Sequence, residues 1–320
     1  MIFFLSLALF LAISTYFYMR SPKFGKAPSG NRLALLQQSP NYKDGKFQNF
    51  HYTPDLTEGY SMLGIMFDMF FKNHPRRKPV DSIPSVKTDL LNLPVDSNVL
   101  VWFGHSSYFM QIEGKRFLVD PVFSGNASPI PGTTKSFKGA DIYSVADLPN
   151  IDYLIISHDH YDHLEAATIR YLASINTEFI VPLGVGSRLE SWGIQKNNIS
   201  ELGWHEAKTV GSLQITALPG IHYTSRSFND RNKALWASFA IKGTEKNLFV
   251  SGDTGYGSHL KDIGEKYGPF DMAFVEIDGW NKGWPLTHLF PDQAVQLCED
   301  INTQVMFPIH WGVFDLAMHP

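Results

Sequence analysis

The chain has 320 residues, an apolar content of 44% and a formal net charge of −4. Its composition is that of an ordinary globular protein. The slightly acidic balance, with no long basic stripe, argues against nucleic acid as a partner, because such binding draws on phosphate attraction.

The front of the chain stands apart. Ile2 to Met19 is uncharged and largely apolar, and at ~1.5 Å rise per residue a helix of that length just reaches across a hydrocarbon core. A basic n-region and an A-x-A-like cleavage site are both lacking, so an uncleaved transmembrane anchor over residues 1–19 is expected; a cleaved signal, giving a secreted or periplasmic protein, is the alternative. Arg20, Lys23 and Lys26 follow, which by the positive-inside rule puts the catalytic domain on the cytoplasmic side of the membrane. The Pro/Gly/Lys mixture that follows reads as a linker over residues 20–30, leaving residues 31–320 as one catalytic domain. Met62 to Phe71 (M-L-G-I-M-F-D-M-F-F) precedes Lys72, Arg76, Arg77 and Lys78. Apolar residues beside a basic cluster suit a lipid surface. A core-packing helix is the preferred reading, because Met and Phe at helical spacing fill cores more often.

Strand-like runs follow at Val99 to Phe103, Tyr108 to Ile112, Phe117 to Val119, Tyr153 to Ile156, Phe179 to Val181, Leu213 to Leu218, Ala237 to Ile241, Leu248 to Val250, Met272 to Val275 and Val305 to Ile309. Helix-like stretches lie between them at Leu164 to Ile175, Val185 to Ser191, Ser258 to Tyr267 and Pro291 to Asp300. Periodicity alone specifies only an α/β protein.

The chemistry concentrates at Ser157 to Leu164, S-H-D-H-Y-D-H-L, directly behind an apolar run. Imidazoles and carboxylates crowded onto one loop are what a metal site needs. Residues two apart in an extended segment face the same side, so His158, His160 and Asp162 align while His163 turns to the other flank, a layout that suits two metal positions. Asp159 falls on the opposite face, as a group behind the ligands or a solvated carboxylate. Three later apolar runs end in the same way, at His222, at Asp253 within S-G-D-T-G-Y, and at His310. Sites gather beyond the carboxyl ends of strands in α/β sheets, so these four segments predict one shared site. The small residues around Asp253 would let the backbone pass close to an ion. Asp278, after the run Met272 to Val275, is a candidate partner for a ligating histidine. His105, in G-H-S-S, reads as part of a tight turn rather than a ligand. The sequence carries neither a G-x-S-x-G elbow nor a P-loop. Cys298 lies in the helix-like P-D-Q-A-V-Q-L-C-E-D, where buried packing is its ordinary role.

The H-D-H-Y-D-H loop, His222, S-G-D-T-G-Y and P-I-H-W-G around His310 resemble the metallo-β-lactamase-fold hydrolases. Within them the resemblance is closest to the N-acylphosphatidylethanolamine-hydrolysing phospholipases D and their bacterial relatives. G-H-S-S at Gly104 to Ser107, V-D-P-V-F-S at Val119 to Ser124, Y-G-P-F-D at Tyr267 to Asp271 and H-L-F-P-D-Q-A at His288 to Ala294 extend it over most of the chain from about Pro28. The resemblance implies a four-layer αββα sandwich. It implies one metal on His158, His160 and His222, a second on Asp162, His163 and His310, and Asp253 bridging the two. It also places His288 beside the site, where it could contact substrate or help protonate the leaving group; a helix-start residue before Pro291 is the equal alternative. A further C-terminal segment beyond Pro320 is implied as well.

Imidazole-rich ligation favours two zinc ions, with iron or manganese as alternatives. A paired site lowers the pKa of bound water toward neutrality, so a metal-bound hydroxide is the expected nucleophile, oriented by Asp162 and Asp253. Three functions fit: hydrolysis of a phospholipid phosphodiester of phospholipase D type, hydrolysis of a soluble lactone or phosphodiester, and a non-catalytic, metal-stabilised membrane protein. The first is preferred, with a phospholipid and the membrane as partners.

Overall fold

The computed structural model describes residues 2–319. The apolar run at the front forms α1 (Ile2–Met19), 18 residues long. At ~1.5 Å per residue it reaches about 27 Å, close to the thickness of a hydrocarbon core of about 30 Å. A transmembrane anchor is expected from composition; among the described residues no helix is long and apolar enough to cross a membrane. The apolar side chains of α1 are exposed, Phe3 and Phe4 at 73% and Phe17 at 68%.

The stretch read as a linker is pinned to the domain. Phe24 is buried, Trp192 Nε1 donates to the Pro22 carbonyl at 2.6 Å, and Arg226 Nη2 donates to the Lys23 carbonyl at 3.0 Å. Next come α2 (Gly30–Leu36), a small hairpin of β1 (Tyr42–Lys43) and β2 (Lys46–Phe47), and α3 (Met62–Phe71). Ser61 caps α3 by accepting from Gly64 N at 3.1 Å. A core-packing role for α3 is not what the structure shows. Ile65 is buried, but Leu63 is 80% and Phe71 75% exposed. With no neighbouring layer over it, helical spacing of Met and Phe here makes a surface.

Two six-stranded sheets form the body. The first holds β3 (Val99–Gly104), β4 (Ser107–Ile112), β5 (Lys115–Val119), β6 (Tyr153–Ile155), β7 (Glu178–Pro182) and β8 (Ile199–Leu202), side by side in chain order. Between its strands run α4 (Ala166–Leu172) and α5 (Gly186–Ser191). The second sheet holds β9 (Ala207–Val210), β10 (Leu213–Leu218), β11 (Ser238–Lys242), β12 (Asn247–Val250), β13 (Met272–Glu276) and β14 (Met306–Ile309), again adjacent in chain order. Its helices are α6 (His259–Tyr267) and α7 (Pro291–Asp300). In each sheet the strands after the opening antiparallel hairpins pair in parallel; a long loop connects β5 to β6, and helical crossovers connect the others. β8 and β9 escape the sequence pattern because I-S-E-L and A-K-T-V carry few apolar residues, as edge strands can.

Side-chain alternation along the strands makes the layers. In β4 and β5, Tyr108, Met110, Phe117 and Val119 face the second sheet, while Phe109 and Leu118 face the helices. Tyr108 stacks on Phe274 of β13 with ring centroids 4.6 Å apart, joining the sheets. Leu172 and Leu189 of α4 and α5 cover the outer face of the first sheet, and Leu260, Ile263 and Leu297 of α6 and α7 cover that of the second. The result is the αββα sandwich. Because β3, β5, β6, β10, β12, β13 and β14 run the same way within their sheets, the residues following them collect along one rim.

Candidate metal centre

The loop after β6 is shaped by buried polar groups around it. Asp120, at the end of β5, accepts from Ser157 N at 2.7 Å and Ser157 Oγ at 2.6 Å, which turns the chain where the strand stops. Leu164 N closes a tight turn on the His160 carbonyl at 2.8 Å. Behind it, the buried Arg226 guanidinium donates from Nη1 to the carbonyls of Asp159 (2.7 Å) and Leu164 (2.8 Å), gripping the loop near both ends. Asp159 is buried, not solvated, and Arg188 Nε donates to its carboxylate at 3.3 Å.

Two clusters of ligand-type atoms converge at the rim. In one, His158 Nε2 lies 2.8 Å and His222 Nε2 3.3 Å from His160 Nδ1. In the other, His163 Nε2 and His310 Nε2 lie 3.5 and 3.4 Å from Asp162 Oδ2. Asp253 Oδ2 touches both: it is 3.8 Å from His158 Nε2 and 3.6 Å from His222 Nε2 on one side, 3.3 Å from His163 Nε2 and 3.1 Å from His310 Nε2 on the other. All seven side chains singled out in the sequence are therefore brought together. Each cluster, with Asp253 in the first and His105 in the second, keeps its ligand-type atoms within 4.8 Å of one another.

The outer nitrogens of several rings are tethered. His163 Nδ1 donates to Asp120 Oδ2 at 2.8 Å and His222 Nδ1 to the Thr287 carbonyl at 2.9 Å, which turns both Nε2 atoms inward. Burial, reinforced by the neighbouring imidazoles, holds His158 well below the ordinary histidine range; burial also pulls His160 down to about 4 and His222 well below. Those three rings are neutral and can ligate. For His163 and His310 burial acts the same way but is outweighed by the Asp253 carboxylate and its neighbours, which hold both well above the ordinary range. Positive charge is thus wanted where the carboxylates meet. A fit to a cation shows in the atoms left over: Asp253 Oδ1, His163 Nε2 and both His310 ring nitrogens are buried without a hydrogen bond. Buried polar atoms of this kind are rare unless a further ligand satisfies them. The donor set, imidazole-rich with two carboxylates, suits divalent metal ions.

Four groups went unread or misread in the sequence. His105 does sit in a turn, but its buried side chain places Nε2 3.0 Å from Asp162 Oδ2 and its ring 4.1 Å from that of His310. Asp120 acts through His163, a role that the strand-end position of V-D-P could have signalled. Asp278, expected behind a ligating histidine, turns to its own Gly279 N (2.6 Å) and to His319 (3.2 Å). Glu276, two residues earlier at the end of β13 and fully buried, takes that inward place. It accepts from His288 Nδ1 at 3.0 Å, Leu289 N at 3.1 Å and Thr254 N at 3.2 Å. His288 lies beside the centre, its ring 5.0 Å from His222 and 5.3 Å from His310. Burial lowers its proton affinity, but Glu276 more than offsets that and raises it.

The glycines around Asp253 are required by packing. Gly252 has φ 55°, and a Cβ there would lie 2.8 Å from the Ser157 Cβ; one on Gly255 would lie 1.8 Å from the Leu286 carbonyl oxygen. They let the Asp253 loop press against the His158 loop on one side and the segment before His288 on the other.

A two-sheet sandwich whose strand ends deliver these groups to one rim defines a metal-dependent hydrolase of the metallo-β-lactamase fold. The comparisons agree. Residues 115–311 match the family model described as a beta-lactamase superfamily domain. An uncharacterized protein of Mycobacterium tuberculosis is 36% identical over 298 residues, 92% of this chain and 80% of its own. The N-acyl-phosphatidylethanolamine-hydrolyzing phospholipase D 1 of Caenorhabditis elegans is 30% identical over 291 residues, 85% of this chain and 80% of its own. Among solved structures, a metallo hydrolase from Ignicoccus hospitalis superposes with a TM-score of 0.52 at 20% identity, covering 66% of this chain and 82% of that one, which speaks to fold alone. The chain belongs to the metallo-β-lactamase superfamily, close to the N-acylphosphatidylethanolamine-hydrolysing phospholipases D.

Proposed function

We propose that the protein is a dinuclear hydrolase, zinc-loaded by preference, that cleaves a phosphodiester of an N-acylated or related phospholipid in the manner of a phospholipase D. The observation that carries the two-metal reading is Asp253 Oδ2, within 3.1 to 3.8 Å of four imidazole nitrogens from two histidine groups. A carboxylate so placed can span two cations, where an imidazole cannot. His158, His160 and His222 would hold one ion, and Asp162, His163 and His310 the other. The ions supply Lewis-acid activation of water and of the scissile group, as such pairs do in phosphodiesterases.

The chain's own residues do the rest. Asp162 and Asp253 orient the attacking water by accepting its hydrogen bonds. His288, fixed through Nδ1 by Glu276, leaves Nε2 to meet the departing oxygen. Support for a lipid substrate comes from the similarity to the Caenorhabditis elegans enzyme and from apolar surface. Met62, Leu63, Phe67 and Phe71 of α3 and Phe3, Phe4 and Phe17 of α1 are all exposed. Lying along a bilayer surface would remove that area from water without a span.

The test is turnover of purified, metal-analysed protein on N-acylphosphatidylethanolamine in mixed micelles, a dissolved phosphodiester and a lactone. Two metals per chain with preference for the micellar phospholipid supports the proposal. A lactone cleaved far faster than either diester, or a single tightly bound metal with full activity, contradicts it.

A further inference from the structure

A cavity borders the metal loop at Tyr161, with a volume of about 830 Å³. None of the seven ligating side chains lines it. Its size is that of a small-molecule site. Three lysines line it, Lys23, Lys135 and Lys138, and none of their ammonium groups pairs with a carboxylate among the described residues. Lys23 Nζ instead donates to the Pro129 carbonyl and to the Tyr18 hydroxyl, at 2.7 and 2.6 Å. The two acidic groups in the wall are engaged with neutral donors. Asp141 accepts from Ser136 Oγ at 2.8 Å, and Glu165 from Phe123 N, Ser124 N and Thr168 Oγ1 at 3.0, 3.2 and 2.5 Å. The buried guanidinium of Arg226 adds to the positive field from behind.

The cavity touches two functional elements at once. Tyr161, between His160 and Asp162 in the metal loop, forms part of its wall. Pro129, also in the wall, receives Tyr18 at the foot of the apolar α1, its carbonyl 2.5 Å from the Tyr18 hydroxyl. A ligand here meets lysines on one side and the base of an exposed apolar helix on the other.

We propose that this cavity binds a phosphate-bearing anion at a site separate from the metal centre. Multiply charged oxyanions match three ammonium groups without carboxylate partners and the hydroxyl of Ser128, which also lines the cavity. The anion can come from solution or from a phospholipid head group, whose chains would then run out along α1. The inference does not depend on which substrate the metal centre takes.

The experiment compares metal-loaded wild type with the double variant Lys135→Ala/Lys138→Ala, and with Lys261→Ala/Lys266→Ala, which removes two exposed lysines from α6. Equilibrium dialysis with labelled inorganic phosphate counts bound anion, and sedimentation with phosphatidylcholine vesicles, with and without phosphatidic acid, reads the head-group source. Metal content of each variant confirms an intact fold. The metal centre can itself take phosphate, and that site stays in every variant. The cavity site is expected to weaken about tenfold or more in the first variant and not in the second. If only the dialysis signal falls, the ligand is free phosphate. If the preference for phosphatidic acid falls, it is a head group. Unchanged binding in both assays overturns the proposal, as does an equal loss in the α6 variant, which would mean surface charge alone.

Discussion

His105 and His310, from different sheets, hold one another by backbone and by side chain. His310 N donates to the His105 carbonyl at 2.9 Å, His105 N donates to the Trp311 carbonyl at 2.9 Å, and the two rings lie 4.1 Å apart. Both residues have left-handed backbones, φ 52° and 68°, uncommon for a residue with a Cβ. Conformations of this cost persist where surrounding structure over-determines them, and they collect at functional sites. The pair is the clasp that brings the end of β14 to the end of β3, and so carries His310 to Asp162.

His105→Ala should therefore weaken the metal position made by Asp162, His163 and His310 more than the other. Loss of a partner behind a ligand typically lowers metal affinity about 10- to 100-fold. Chelator competition should show one of two metals leaving early. Two metals leaving together at the wild-type chelator concentration would remove His105 from this role.

Asp253→Asn keeps the shape but removes the negative charge of the one group that faces both clusters. Turnover should fall by about 100-fold or more and metal content should drop, while far-ultraviolet circular dichroism stays near that of wild type. Unchanged turnover contradicts the bridging role.

The grip of Arg226 on the loop predicts a stability effect distinct from catalysis. A lysine cannot reach the carbonyls of Asp159, Leu164 and Lys23 at once as the planar guanidinium does. Arg226→Lys should cost about 2 to 4 kcal/mol, because buried acceptors lose their donors. A denaturant midpoint that does not move would show that the clamp is dispensable.

Acid sensitivity should have a component outside the seven ligating side chains. Burial pulls His259, at the start of α6, down to about 4. Its folded value lies below its ordinary value, so it contributes stability that is complete above pH 6.5 and is lost as pH falls toward about 4. The full window corresponds to about 3 kcal/mol. Melting temperatures of wild type and His259→Leu, measured from pH 7 to 4.5, should converge as the pH falls. Parallel curves would sink the attribution.

The site was legible in the sequence to an unusual degree because each ligand follows an apolar run that can only be a buried strand. His158, His160, Asp162 and His163 share one loop, and His222, Asp253 and His310 each close a strand of their own. Glu276 was hidden because it is the last residue of its strand, where alternation gives no reason to prefer it over Asp278 two places on. His105 was hidden because G-H-S-S does make a turn. The same backbone that turns there also aims the imidazole at Asp162.

Residue order alone determined ten of the twelve strands of the sandwich body, the helices between them and the seven groups at the strand ends, because burial periodicity and metal-ligand chemistry are both local in the chain. What covers each surface was decided only in three dimensions. Met62 to Phe71 reads like a core helix, yet no layer lies over it. Residues 20–30 read like a tether, yet Arg226 and Trp192 hold them by their carbonyls. Whether an apolar or polar segment is buried depends on partners far away in sequence, and the chain's local pattern carries no record of them.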